Sequence, residues 1–304
     1  MYFTSLPDHS KPDFDEAGHF RKFQRQNIVF NAISNKSSCD RHVGCLSIKM
    51  VSGGEELYGV GRRQLTVRPG QFLILNNDQE YACRIDTMGQ VRVQSVFFGK
   101  EFASAAFHDA LCNEEALLDN PFDRPGRLPE FFQALDHADP VLERDMKGLM
   151  NALDENGYDA GMVDEHLLFL LQHLIRVHKT ETDRAGRVSA VKRSTKTEIF
   201  RRLCIARDLL HSSFMNKPDL SVISNAACLS TPQLIRQFKI VFNTTPHQYL
   251  IQVRLSQAAG LLKHTSTPVH EITWRCGFED ASAFCRAFRA AYGVSPLHYR
   301  TASQ

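Results

Sequence analysis

The chain has 304 residues, of which 43% are hydrophobic and 23% charged, with a net charge of +2. That balance excludes a wholly disordered chain, and the length exceeds one average domain and suits two. No run of eighteen apolar residues is present, so no transmembrane helix is expected.

The small net charge hides an asymmetry. Residues 1–191 carry 21 Lys and Arg against 28 Asp and Glu, whereas residues 192–304 carry 15 against 6. A basic C-terminal third beside an acidic remainder points to two domains with different partners, the basic one suited to a polyanion. The N-terminus lacks a basic flank followed by an apolar core, so no secretory signal is read and a cytoplasmic location is expected. The eight cysteines form no CxxC and no zinc-site spacing; they are expected to be reduced space-fillers, with no metal or other cofactor.

In chain order, residues 28–98 read as short strands: IVFNAI, CLSIKMV, ELYGV, RQLTV, FLILN, EYACRI and VRVQSVFF. Turn formers such as Ser52-Gly53-Gly54, Pro69-Gly70 and Asn76-Asn77-Asp78 separate several of them, which suggests a sandwich or small barrel. Helices are predicted over 101–118, 129–137, 141–155 and 162–178. The last has an apolar face wide enough either to pack inward and meet a second subunit, or to be an ordinary buried helix. The polar stretch 179–197 reads as a linker. Beyond it the pattern is helical, with starts predicted at Ser230 or Thr231 before Pro232, Thr245 before Pro246, and Thr267 before Pro268.

The most informative feature is an internal repeat. LIRQFKIVFNTTPHQY (234–249) and FCRAFRAAYGVSPLHY (284–299) align at an offset of 50, matching Arg236, Phe238, Pro246 and Tyr249 with Arg286, Phe288, Pro296 and Tyr299. Asn243 matches Gly293, the two residue types that best tolerate the left-handed conformation past a helix end. Upstream the offset is 49, pairing Ile223 with Ile272 and Cys228 with Gly277, so the second copy has one extra residue in its turn. Each copy reads as helix, tight turn, helix. Its second helix has an apolar face (Leu234, Phe238, Val241; Phe284, Phe288, Ala291) and a polar face bearing Arg, a design that enters the DNA major groove.

On these residues the chain resembles the AraC/XylS transcription regulators. The resemblance covers about 198–300 and is carried by LSTPQLIRQFKIVFNTTPHQYL, VRLSQAAGLLK and GFEDASAFCRAFRAAYGVSPLHYR. Ser224 and Thr273 stand where a small Ala is usual, Cys228 and Asn243 replace glycines, and Trp274 is unusual. The resemblance implies two units entering successive major grooves ~34 Å apart on one face of the duplex. The expected DNA-contacting residues are Thr231, Pro232, Gln233, Ile235, Arg236 and Lys239 in one unit, and Ala281, Ser282, Ala283, Cys285, Arg286 and Arg289 in the other. Arg236 and Arg286 are the best base readers. Lys239, Lys263, Arg289 and Arg300 suit phosphates or structural pairs.

In this family the N-terminal part senses an effector, dimerises, or both. The run VRPGQFLILNNDQEY (67–81) is similar to a segment of the cupin-like barrel found there. No His lies between 43 and 107, so the ligands of a metallo-cupin enzyme are missing. Tyr58, Arg62, Gln71, Tyr81 and Arg84 are the candidate effector-binding residues, with Arg63 and Gln94 beside them. An arginine inside would favour a carboxylate or phosphate. No GxSxG, P-loop or HExxH appears, and the chain is read as not an enzyme.

The expected architecture is α+β: a cupin-like β-barrel with following helices over 1–180, a linker over 181–197, and an all-α domain of two helix-turn-helix units joined by a linker helix over 198–304. The expected function is an effector-responsive, sequence-specific transcription regulator whose expected partners are double-stranded DNA, a small-molecule effector or protein partner, a second copy and RNA polymerase, with no membrane partner. The alternative is an interaction adaptor that keeps the fold without reading sequence.

Overall fold

A computed structural model describes residues 1–7, 15–61, 63–111, 128–216 and 218–303. They form two compact units, 1–182 and 183–304.

The first unit is built on one mostly antiparallel sheet. Its strands are β1 (Tyr2–Phe3), β2 (Ile28–Gly44), β3 (Ser47–Gly53), β4 (Glu56–Val60), β5 (Arg63–Val67), β6 (Gln71–Leu75), β7 (Gln79–Phe97) and β8 (Leu135–His137). β2 and β7 pair along nearly their whole length, from Ile28 opposite Phe97 to Gly44 opposite Gln79, with two irregularities that bend the ribbon. EYACRI and VRVQSVFF, read as two runs, are therefore one strand. One half of β7 pairs with β3, which pairs with β6; the other half pairs with β4, which pairs with β5. Among the described residues no ladder closes the sheet, so the expectation of a closed barrel gives way to an open sheet. Two very short strands, β1 and β8, take the edges where closure would need long ones.

Helix α1 (Glu16–Arg25) was not read from the sequence; Asp15 caps it by accepting from the Gly18 amide. Helix α2 (Lys100–Leu111) occupies the start of the predicted 101–118, whose remainder lies outside the described residues. The helix expected over 129–137 is absent. Its end is β8, in which Leu135 lies opposite Leu73 of β6, and Phe131 packs edge-on against Phe107. Pairing with an open sheet edge outweighs local helix preference here.

Helices α3 (Pro140–Asn156) and α4 (Ala160–Gly186) complete the unit. Leu142, Met146, Leu149, Met150 and Leu153 recur at helical spacing and are buried, as are Val163, Leu167, Leu170, Leu171 and Leu174. Together they cover one face of the sheet through Val29, Ile48, Met50, Phe72, Ile74 and Val96. The opposite face gathers a second core around Val51, Tyr58, Leu65, Tyr81 and Val93. Strand β3 is consequently buried on both faces.

The second unit is helical: α5 (Arg193–Ser212), α6 (Leu220–Ala226), α7 (Thr231–Phe242), α8 (Pro246–His264), α9 (Val269–Arg275), α10 (Ala281–Tyr292) and α11 (Pro296–Ser303). The stretch read as a linker is helical at both ends, and only 187–192 lie between α4 and α5. Helix α8 connects the two halves. Leu250 and Val253 are buried, and Leu255, Ala258, Ala259 and Leu262 join Phe284 and Phe288 in one core.

Candidate nucleic-acid interface and internal cavity

Helices α6 and α7 form one helix-turn-helix unit, and α9 and α10 the other. The turns are 227–230 and 276–280, so the second is one residue longer, which accounts for the change of offset. The backbones follow the repeat. Cys228 has φ +51° where Gly277 has φ +76°, and Asn243 has φ +56° where Gly293 has φ +77°. Each second helix begins on a side-chain cap: Ser230 accepts from the Gln233 amide, and Asp280 accepts from the amides of Ser282 and Ala283. These backbone bonds, with a smaller contribution from Arg286, hold the Asp280 carboxyl below the usual range. Thr245 forms a capping box with Gln248. Thr267 is not the cap of α9: Pro268 holds that position, and the Thr267 carbonyl accepts from Arg300.

A left-handed Cys is strained by about 1–2 kcal/mol relative to Gly, partly offset by the greater freedom of Gly in the unfolded chain. Cys228→Gly is therefore expected to raise stability by roughly 0.5–1 kcal/mol, read as an increased urea midpoint at unchanged slope.

The polar departures in the first helices are accommodated. Ser224 is buried, with its hydroxyl bonded to the Ser221 carbonyl and 3.1 Å from the Thr231 hydroxyl. The buried Thr273 hydroxyl donates to the Val269 carbonyl at 2.9 Å. Leu234, Phe238, Val241, Phe284 and Phe288 are buried as the repeat requires. Ala291 is exposed instead, and the neighbouring Tyr292 ring stacks on Phe288 with centroids 4.5 Å apart.

On the outward faces, Pro232, Ile235, Arg236 and Lys239 are exposed on α7, and Ala281, Ser282, Arg286 and Arg289 on α10. Thr231, Gln233, Ala283 and Cys285 are half-buried. Thr231 is engaged by Ser224, and Cys285 packs against the second unit's core. Among the described residues, Arg236, Lys239, Arg286 and Arg289 make no hydrogen bond or ion pair. Arg300 differs: it is half-buried and tied to Thr267. Trp274 is 58% exposed on α9.

The first unit contains a cavity of about 50 Å³ between α1 and the sheet. Of the residues proposed from sequence, Tyr58 and Tyr81 line it. Gln71 is buried elsewhere, its side chain accepting from the Arg68 amide. Arg84 points outward, paired with Asp86 at 2.7 Å, because its neighbours Cys83 and Ile85 alternate about it. Arg63 donates to the Gln133 carbonyl, Gln94 is not part of the lining, and Arg62 lies outside the described residues. The sequence reading missed His42, Lys49, Glu56 and Phe97, all in the wall.

Lys49 is 2% exposed, with its ammonium 3.3 Å from the centre of the Phe97 ring and 5.2 Å from that of Tyr81. Glu56 is buried and accepts from the Tyr58 hydroxyl at 2.7 Å. Burial pushes the Glu56 carboxyl up to about 7 and the Lys49 ammonium down to about 8, each opposed by the other's charge. Because Glu56 keeps its proton when folded but loses it near 4.5 when unfolded, it stabilises the fold most in acid. That contribution, on the order of 3 kcal/mol, is lost as pH rises from about 4.5 through 7. Glu56→Gln keeps an acceptor for Tyr58 and removes the titration. Its stability relative to the wild type is expected to rise between pH 5 and pH 7.5 in denaturant melts.

Two successive helix-turn-helix units on a connecting helix define a tandem helix-turn-helix domain. Residues 223–302 match the family model described as "Helix-turn-helix domain". The probable transcriptional regulator LumQ of Photobacterium leiognathi is 33% identical over 91 residues, covering 30% of this chain and 37% of LumQ. The HTH-type transcriptional activator RhaS of Escherichia coli is 33% identical over 99 residues, covering 33% of this chain and 36% of RhaS. The chain thus matches little more than a third of these relatives' length. Among solved structures, the C-terminal domain of AraT, a response regulator from Geobacillus stearothermophilus, is 30% identical with a TM-score of 0.32, covering 33% of this chain and 84% of that one. Residues 223–302 of this chain are a helix-turn-helix domain.

Proposed function

We infer that the chain is a sequence-specific DNA-binding transcription regulator whose C-terminal unit reads two stretches of duplex. The reading rests on the duplicated second helix: equivalent outward faces present Arg236 with Lys239 and Arg286 with Arg289, none in a hydrogen bond or ion pair within the protein among the described residues. A guanidinium left without an internal partner is available to the O6 and N7 edge of guanine, and a lysine one turn further along suits phosphate.

The N-terminal unit, cupin-like in this reading, supplies an effector cavity and a dimer contact. Buried polar groups support the cavity, and exposed Leu168 and Phe169 on α4 support the contact. For effector control, the ligand must bind one DNA-competent arrangement better than another.

Substitution separates specific from general contacts. Arg236→Ala and Arg286→Ala are each expected to cost about 1–3 kcal/mol on the chosen site and to relax base preference there. Lys239→Ala is expected to weaken all sequences evenly and lower the salt slope by about 1. Equal, sequence-independent weakening by all three variants favours the adaptor reading.

A further inference from the structure

We propose that the cavity in the first unit is a site for a small monocarboxylate with an apolar body, its carboxylate received by Lys49. This rests on the reading of the first unit as an effector domain and names the ligand's chemistry.

The observation is an imbalance in the wall. Lys49 is 98% buried and lines the cavity, yet among the described residues nothing accepts a hydrogen bond from its ammonium or pairs with it. Its near contacts are the ring faces of Phe97 and Tyr81, which attract a cation but leave its N–H groups without oxygen acceptors. Burying an ammonium this way is costly unless something supplies acceptors and negative charge. The one buried carboxylate in the wall, Glu56, is held by Tyr58 and forms no ion pair with Lys49.

The rest of the space sets the ligand's shape and charge. An adjoining hollow of about 180 Å³ shares Leu6, Pro7, His19, Phe23 and Phe30 with the cavity, so the head-group space opens onto a largely apolar one. The cavity itself holds one lysine, Lys49, beside a Glu56 carboxyl that burial keeps protonated below about 7, which matches a single negative charge; Lys22 lines the adjoining hollow. A phosphate dianion would carry an uncompensated charge toward that acid. A neutral sugar would leave most of its hydroxyls against Phe23, Phe30 and Phe97.

The test uses the full chain with benzoate and hexanoate, each beside its uncharged amide, by calorimetric titration and thermal melting. The acids are expected to bind at least tenfold tighter than the amides. Lys49→Met is expected to abolish acid binding while raising the melting temperature of the ligand-free protein. Lys49→Arg is expected to keep acid binding, and it serves if the Met variant fails to fold. If acid and amide bind alike, or Lys49→Met still binds the acids, the carboxylate assignment is overturned while the cavity remains a ligand site. If no probe binds and Lys49→Met melts lower, Lys49 is structural, and both the assignment and the effector reading of the cavity fall.

Discussion

Gly277→Ala is expected to cost roughly 3–5 kcal/mol, the largest effect of a methyl added at any glycine of the second unit. Two causes combine. The backbone is left-handed at φ +76°, which a Cβ opposes by about 1–2 kcal/mol. The new Cβ would also stand 2.6 Å from the Met215 carbonyl oxygen and 2.9 Å from that of Phe214, backbone atoms that cannot swing aside as a side chain can. Overpacking of that kind adds about 1–3 kcal/mol. Gly293→Asn is the control: φ is +77°, no atom lies within 4 Å of the added Cβ, and Asn243 already occupies the equivalent position. Urea melts of the full chain should show a large loss for the first variant and a small one for the second. A loss below about 1 kcal/mol for Gly277→Ala would contradict the close approach.

The same junction gives the second large effect. Arg254 on α8 donates from Nε to the Phe214 carbonyl and from Nη2 to the Asn216 carbonyl, both at 2.8 Å, and its guanidinium lies 5.8 Å from the Phe278 ring. Arg254→Met keeps the stem but strips both carbonyls of a charged donor. At about 1.5–3 kcal/mol per charge-assisted bond, a loss of roughly 3–5 kcal/mol is expected. Lys cannot restore it, since one ammonium does not span two carbonyls as a planar fork does. An Ala Cβ at position 277 would also stand 3.0 Å from Nη2 of Arg254, so the two substitutions are expected to be less than additive in a double-mutant cycle.

The C-terminal domain was legible because its constraints are local. Ser230 and Thr245 announce helix starts, Asn243 and Gly293 announce ends, and the offset changes from 50 to 49 where one turn is a residue longer. The first unit was less legible because its constraints are distant. Nothing within LPEFFQALDH reveals that Leu135 pairs with β6, and only the sheet joins EYACRI to VRVQSVFF. Lys49 was missed for a related reason. In SIKMV, alternation puts Ile48 and Met50 inside and Lys49 outside. Helices α2, α3 and α4 cover the Ile48 side, and the other side faces the cavity, so both sides of β3 are interior. Arg84, in contrast, looked like a plausible interior cation and is solvated.

The two helix-turn-helix units of one chain are expected to read DNA together. Selection of bound sites from a random duplex pool by the full chain at ~150 mM salt, where non-specific attraction is already weakened, tests it most directly. A bipartite motif with boxes about one helical turn apart is expected, and Arg236→Ala and Arg286→Ala should each erase preference in a different box. Recovery of no enriched sequence by folded protein, with or without the carboxylate probes, would contradict it.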